Sequence, residues 1–512
     1  MEALSKIITL QHIYVKVNSP ASNSQTTLLE DISLCINQGE ILGITGESGS
    51  GKSMLGRTIM GLVSIKKGFV VEGKVVFENQ NLLTLSENEL SKIRGAQISI
   101  VFENPSSAFN PLKKIGKQIL ESITVHNKTS KSEAKKQIFE AMDALDLIEH
   151  ERVFNAYPHE LSGGQLQRLL LISSSINRPK ILILDEATSQ LDQTTIEKVI
   201  VYINHIRNKF ATSILFISHD LKLLTSLSDR IIMIKDGIVI DSFVNNGKHF
   251  TTTSPYTQSY LNQNLSQGQN KYIITSEPVL VLKNINKSFS KYLIYPFLKL
   301  STNDVLKDIN FALNQGEILG IMGPSGSGKS TLAKIIVKMT APDSGIIRLL
   351  GNDISDLTTT QKQLSSIIQM LFQDAHASLN PLQKVSQIFS DVIKVHWTKD
   401  VNKEEIMLEA LANVSLSPDI LDRYPNEMSG GQKHRVCIAR ALLCKPKILI
   451  LDESLSALDI VNQIKMIELF QKLRTQLNLS IIFIAHDLRL SQALCDRIIT
   501  IDNGKMVEYE PK

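Results

Sequence analysis

The residues best suited to chemistry fall into two matched sets. The octapeptides GESGSGKS at residues 46–53 and GPSGSGKS at residues 323–330 each place three glycines ahead of a Lys–Ser pair. Gly46, Gly49 and Gly51, like Gly323, Gly326 and Gly328, let the backbone curl so that successive N–H groups face phosphate oxygens, with Ser48 and Ser325 on the same loops. Lys52 and Lys329 would reach terminal phosphates, and the hydroxyls of Ser53 and Ser330 are placed to ligate Mg²⁺. Each octapeptide follows an apolar run and opens a helical pattern, so a helix N-terminus adds its positive dipole end to the cradle.

Acids and histidines follow in the same order in both sets. Asp185 and Asp452 each end the run ILILD, where a carboxylate can help hold a metal ion's oxygen shell. Glu186 and Glu453 come next, positioned to orient and polarise an attacking water. A single histidine, His219 or His486, stands just beyond a later apolar run.

These residues need a scaffold, and the chain supplies it twice. PKILILDEATSQLD at residues 179–192 recurs as PKILILDESLSALD at 446–459, and YPHELSGGQ at 157–165 recurs as YPNEMSGGQ at 424–432. A period this long marks a duplicated domain and not a solenoid. EILGIT, ILILD and SILFIS are apolar on both faces, as buried strands of a mainly parallel sheet should be, and KSMLGRTIMGLV and TIEKVIVYINHI have helical spacing. The fold class is therefore α/β, with ligands expected beyond the carboxyl ends of the strands. The expected domains are residues 1–265 and 278–512, joined by a polar linker at 266–277.

Composition excludes several classes. The chain has 512 residues and a formal net charge of only +4, which gives no reason to expect a nucleic-acid partner. Its four cysteines lack metal-ligand spacing and fit free thiols in a reducing compartment. No signal-peptide layout opens the chain, and no apolar run nears the ~18 residues a membrane span needs. A membrane role would be played from the surface, through a partner.

LSGGQ at residues 161–165 and MSGGQ at 428–432 complete a set that resembles the nucleotide-binding domains of ATP-binding cassette (ABC) proteins. The likeness covers nearly the whole chain, twice. It implies two P-loop NTPase domains, each a mainly parallel sheet core with a helical subdomain and an N-terminal antiparallel β subdomain. It also implies an ATPase using ATP and Mg²⁺ in which two domains pack head to tail around two nucleotides. One site would join Lys52, Ser53, Asp185, Glu186 and His219 to Ser429, Gly430, Gly431 and Gln432. The other would join Lys329, Ser330, Asp452, Glu453 and His486 to Ser162, Gly163, Gly164 and Gln165. Asp192 and Asp459 resemble the acids that communicate across that interface, and the two histidines resemble the family's γ-phosphate sensors.

The resemblance also exposes departures. Gln373 matches the family's Q-loop glutamine, which touches Mg²⁺ and the attacking water, whereas the first half has Glu103 there. Phe289 occupies the place of the family's adenine-stacking aromatic, where the first half has Val17 with Tyr14 nearby but out of register. Met54 stands where the second half has Thr331, a hydroxyl near the α-phosphate. The expectation is an asymmetric pair with the second site the stronger hydrolase.

NPSSAFNPLKKIGKQI, HASLNPLQKVSQIF and SPYTQSYL resemble segments of the oligopeptide/dipeptide/nickel importer ATPases, here fused into one chain. That branch implies a peripheral protein on the cytoplasmic face of a bacterial membrane. Its partners would be two integral-membrane permease subunits and an extracytoplasmic substrate-binding protein, its cargo peptides or nickel and other metal chelates. The rival readings are a tandem ATPase of a sugar importer, and a ribosome-associated tandem-cassette translation factor. The latter usually has a long charged helical linker, unlike the polar one here.

Overall fold

The computed structural model describes residues 5–18, 25–47, 49–63, 68–127, 129–188, 191, 193–244, 254, 256–257, 260, 277–294, 298–324, 326–354, 361–372, 378–397, 401–455, 458 and 460–508. The chain divides into two compact units, Met1–Gln263 and Asn264–Lys512. The linker expected at 266–277 lies outside the described residues except for Glu277.

In the first unit the strands are β1 (Lys6–Asn18), β2 (Gln25–Asn37), β3 (Ile41–Thr45), β4 (Phe69–Phe77), β5 (Gln80–Asn81), β6 (Ile98–Val101), β7 (Ile181–Asp185), β8 (Ser213–Ile217), β9 (Arg230–Lys235) and β10 (Ile238–Val244). They form two sheets. One is antiparallel, in the order β2-β1-β4-β5, and the other runs β10-β9-β3-β8-β7-β6. In the larger sheet every pairing is parallel except the closing β9–β10 hairpin. Every residue of β3, β7 and β8 is buried, which is why these strands read as unbroken apolar runs and not as alternation.

The second unit repeats this plan with β11 (Pro278–Ile294), β12 (Leu298–Asn314), β13 (Ile318–Met322), β14 (Ser344–Leu349), β15 (Asn352–Asp353), β16 (Ile368–Leu371), β17 (Ile448–Asp452), β18 (Ser480–Ile484), β19 (Arg497–Asp502) and β20 (Lys505–Glu508). Its sheets are ordered β12-β11-β14-β15 and β16-β17-β18-β13-β19-β20. The β11–β12 hairpin is longer than its counterpart, with 17 residues in each strand against 13.

One charged brace ties the two sheets together in each unit. Arg230 on β9 donates to the Glu40 carboxylate at 2.9 Å and to the Cys35 carbonyl of β2 at 2.6 Å. Arg497 repeats this with Glu317 at 3.0 Å and the Ala312 carbonyl at 2.6 Å. The charges are paired and hydrogen-bonded, which is the condition under which burying them is tolerable.

Helices cover the sheet and build a separate lobe. Lys52–Ile59 and Lys329–Ile336 follow β3 and β13 directly. The helical lobe of the first unit contains Ile115–Thr124, Lys131–Ala144, His150–Asn155 and Gly163–Ser175. Its lysine-rich helix turns Ala134, Ile138 and Met142 inward at i, i+4 spacing and leaves its charges to solvent. The counterparts in the second unit are Val385–His396, Lys403–Asn413 and Gly430–Leu442.

Candidate active site

Position in the sheet decides what the two loops can do. β3 pairs with both β8 and β9, so the loop at its carboxyl end sits centrally, with Asp185 ending β7 two strands away and His219 just beyond β8. Gly46 has φ +148°, and a Cβ there would lie 2.0 Å from the Ile234 carbonyl oxygen. Gly323 repeats this with φ +151° and 2.1 Å to the Ile501 oxygen. No residue with a side chain fits at either position, so the loop begins on glycine for steric reasons.

Each loop holds its lysine inside its own curl. Lys52 Nζ donates to the carbonyls of Gly46 at 2.8 Å and Glu47 at 2.7 Å. Lys329 Nζ donates to Gly323 and Pro324, both at 2.8 Å. Burial pushes the Lys329 ammonium below its usual range, against the pull of Glu453 and Asp452. A triphosphate entering the loop offers these ammonium groups anionic partners stronger than the carbonyls they hold.

At the helix start, Ser53 Oγ donates to Asp185 Oδ1 at 2.8 Å, and Ser330 Oγ to Asp452 Oδ1 at 3.1 Å. A hydroxyl and a carboxylate side by side form a set of hard oxygen donors suited to Mg²⁺. Burial raises the Asp185 carboxyl to about 6; the Ser53 hydrogen bond opposes this, and the nearby Glu186 and Glu103 charges add to it. Asp452 is raised as well, again chiefly by burial.

Glu186 and Glu453 have φ 53° and 51°. The left-handed backbone is unfavourable for a side-chain-bearing residue by roughly 1–3 kcal/mol and is typical of functional positions. Here it turns each carboxylate toward its histidine. His219 Nδ1 lies 2.8 Å from Glu186 Oε2, and His486 Nε2 pairs with Glu453. His486 Nδ1 also lies 3.0 Å from the Gly323 carbonyl, so its N–H donates there and the other nitrogen faces the acid. Burial works against a charged His219, but the Glu186 charge and hydrogen bond outweigh it and raise its pKa. Burial likewise opposes a charged Glu453, and the His486 hydrogen bond and charge overcome it, holding Glu453 below the usual range.

Glu103 retains solvent access, yet the protein packed beside it raises its carboxyl, and Glu186 adds to the rise against His219, Arg57 and Lys52. The first site therefore crowds Glu103, Asp185 and Glu186 into one field. Gln373, the second unit's residue at that position, lies outside the described residues, as do Ser48, Ser325, Asp192 and Asp459.

Each SGGQ segment opens a helix and closes a reciprocal cap. Ser162 Oγ accepts from the Gln165 N–H at 3.2 Å, while Gln165 Oε1 accepts from the Ser162 N–H at 3.0 Å. Ser429 and Gln432 do the same at 3.3 and 3.0 Å. Gly163 and Gly164, like Gly430 and Gly431, are the first two residues of those helices, so their N–H groups lie where helices bind anions. Among the described residues, these caps bond within themselves and not to their own unit's phosphate loop.

Strand register equates Val17 with Phe289. Ile13 pairs with Ile32 and Val17 with Thr26, as Ile285 pairs with Ile309 and Phe289 with Asn303. Phe289 is 48% exposed, an available aromatic face, with Lys287 Nζ 5.4 Å from its ring. Met54 packs its side chain on the apolar core, and Thr331 is the third residue of its helix. Sequence reasoning passed over one residue at the first loop, Tyr256, whose hydroxyl donates to the Glu47 carboxylate. The contrast between Glu47 and Pro324 was its visible signal.

The ABC transporter family matches residues 29–189 and 306–456, and the chain belongs to it, as two ATP-binding cassettes in tandem. The chain is 33% identical over 490 residues to the peptidoglycan transport ATP-binding protein YejF of Agrobacterium fabrum, covering 94% of this chain and 89% of that one. It is 32% identical over 496 residues to the ABC transporter ATP-binding protein YejF of Escherichia coli, covering 95% and 92%. It is 30% identical over 524 residues to the glutathione import ATP-binding protein GsiA of Salmonella choleraesuis, covering 95% and 84%. It is thus a tandem ABC-type ATPase related to importer ATP-binding subunits. No helix among the described residues is long and apolar enough to cross a membrane.

Proposed function

We propose that this chain is the energy-coupling ATPase of an importer of peptide-class cargo, working at the cytoplasmic face of a membrane. Two permease subunits and an extracytoplasmic binding protein would complete the transporter. The observation that carries this reading is the recurrence of the same Ser–Asp and Glu–His contacts in each cassette, together with similarity to tandem importer subunits over 94% and 95% of the chain. Both named cargoes among those relatives contain amide-linked amino acids, which favours peptides over metal chelates.

Within each cassette the lysine would leave its loop carbonyls to meet the phosphates. Ser53 with Asp185, and Ser330 with Asp452, would hold Mg²⁺, with the Glu103 charge close to the first pair. The metal would neutralise charge building on the phosphates during transfer. Glu186 and Glu453 would draw the proton of the attacking water, held in place by His219 and His486.

Each nucleotide would be completed by the other cassette's SGGQ helix. The space around the second signature supports this. A Cβ added at Gly430 would meet nothing within 4 Å, and one at Gly431 only Asn462 Oδ1 at 3.6 Å. Packing inside that cassette does not demand glycine there, whereas a closely approaching phosphate would. Purification of the tagged chain from detergent-solubilised membranes should bring down two membrane-spanning proteins that raise its ATPase rate. Sedimentation with ribosomes and no membrane-spanning partner would overturn the reading.

A further inference from the structure

Glu47 puts a carboxylate beside the first phosphate cradle. It is the second residue of a loop that binds a polyanion, and its carbonyl holds Lys52 Nζ at 2.7 Å. A carboxylate free to turn into that loop would repel the incoming phosphates and compete with them for Lys52. Instead, Tyr256 Oη donates a hydrogen bond to Glu47 Oε1. Lys235, at the end of β9, places Nζ 4.1 Å from the centroid of the same ring, where its charge strengthens the phenol as a donor. Tyr256 stacks on Tyr260 with centroids 6.4 Å apart, and Tyr260 and Thr257 are 1% and 0% exposed. These residues are anchored, so the tyrosine is held in position. Burial and the contact with Glu47 both raise the Tyr256 pKa, so it stays a proton donor at neutral pH.

Among the described residues, the second cassette does not repeat the set. Pro324 stands in place of Glu47, and Asp502 takes the register position of Lys235, since Asp502 pairs with Lys505 as Lys235 pairs with Ile238. A loop with no carboxylate has nothing to restrain.

We propose that Tyr256 is a positioning residue for the first nucleotide site: it holds the Glu47 carboxylate clear of the phosphate cradle, so that ATP affinity there depends on the segment leading toward the second cassette. The proposal rests on the reading that nucleotide binds the first phosphate loop, and a control separates the two. In the full chain carrying Lys329→Ala to silence the second loop, binding of a fluorescent ATP analogue is titrated with Tyr256→Phe, Glu47→Gln and the double substitution. Tyr256→Phe should weaken binding about tenfold, the scale of one hydrogen bond to a charged group. In the Glu47→Gln background the same substitution should change affinity less than about twofold, because no charge remains to restrain. An unchanged affinity for Tyr256→Phe overturns the proposal. So does an equal loss in both backgrounds, which would mean that Tyr256 only supports the fold. Adding Lys52→Ala must abolish the signal; binding that survives it removes the premise and the proposal together.

Discussion

Replacing Asp185 with Asn in metal-free, nucleotide-free protein should stabilise the first cassette while disabling its site. The Asp185 carboxyl titrates at about 6, against 3.8 for an unburied Asp. The gap is about two pH units, each worth ~1.36 kcal/mol, so the ionised side chain lowers folding stability by about 3 kcal/mol at pH 8. The sign follows from the raised native value: between the two pKa values the folded chain holds a proton that the unfolded chain has released. The penalty is complete above about pH 6, falls to about 1 kcal/mol by about pH 4.5, and vanishes below the unfolded value. Asn keeps an oxygen for the Ser53 hydroxyl and removes the charge. Urea unfolding can read this one cassette at a time. Trp397 is the chain's single tryptophan and lies in the second unit, so its fluorescence follows that unit while circular dichroism follows both. With a slope of about 3 kcal/mol per molar urea, the first-unit midpoint should rise by about 1 M at pH 8, and the Trp397 transition should stay in place. A loss of stability at pH 8, or an equal gain at pH 8 and pH 4.5, would refute the electrostatic reasoning.

Glu453→Gln should reduce total ATP hydrolysis more than Glu186→Gln, each removing about 10²–10⁴ of rate at its own site; equal losses in steady-state phosphate release would contradict the asymmetry. Gly46→Ala forces a methyl group to 2.0 Å from the Ile234 oxygen, so it should destabilise the first unit by about 3 kcal/mol or more and leave the Trp397 transition unmoved.

Much of this was legible in the sequence because the chemistry depends on contiguous residues. The phosphate loops, the ILILD strands and the SGGQ segments are local patterns, and their duplication made each half a check on the other. The wholly buried central strands were legible for the same reason, since a strand covered on both faces has no polar side to write. Other features depend on residues far apart in the chain. Nothing near Glu40 or Glu317 announces Arg230 or Arg497, 190 and 180 positions later. Tyr256 is 209 positions from Glu47, within a segment that sequence alone could describe only by resemblance. The left-handed backbone at Glu186 and Glu453 was equally hidden, because no residue type at those positions betrays it, and so was the contact each acid makes with His219 or His486.

The central claim is that each ATP is gripped by one cassette's loop and completed by the other's signature. Two double substitutions in the intact chain test it through steady-state ATP hydrolysis. Lys52→Ala with Ser429→Arg strikes a single composite site twice, so it should retain the activity of Lys52→Ala alone. Lys52→Ala with Ser162→Arg strikes both sites and should fall to background. The reverse pattern, with the second combination active and the first dead, would contradict the account.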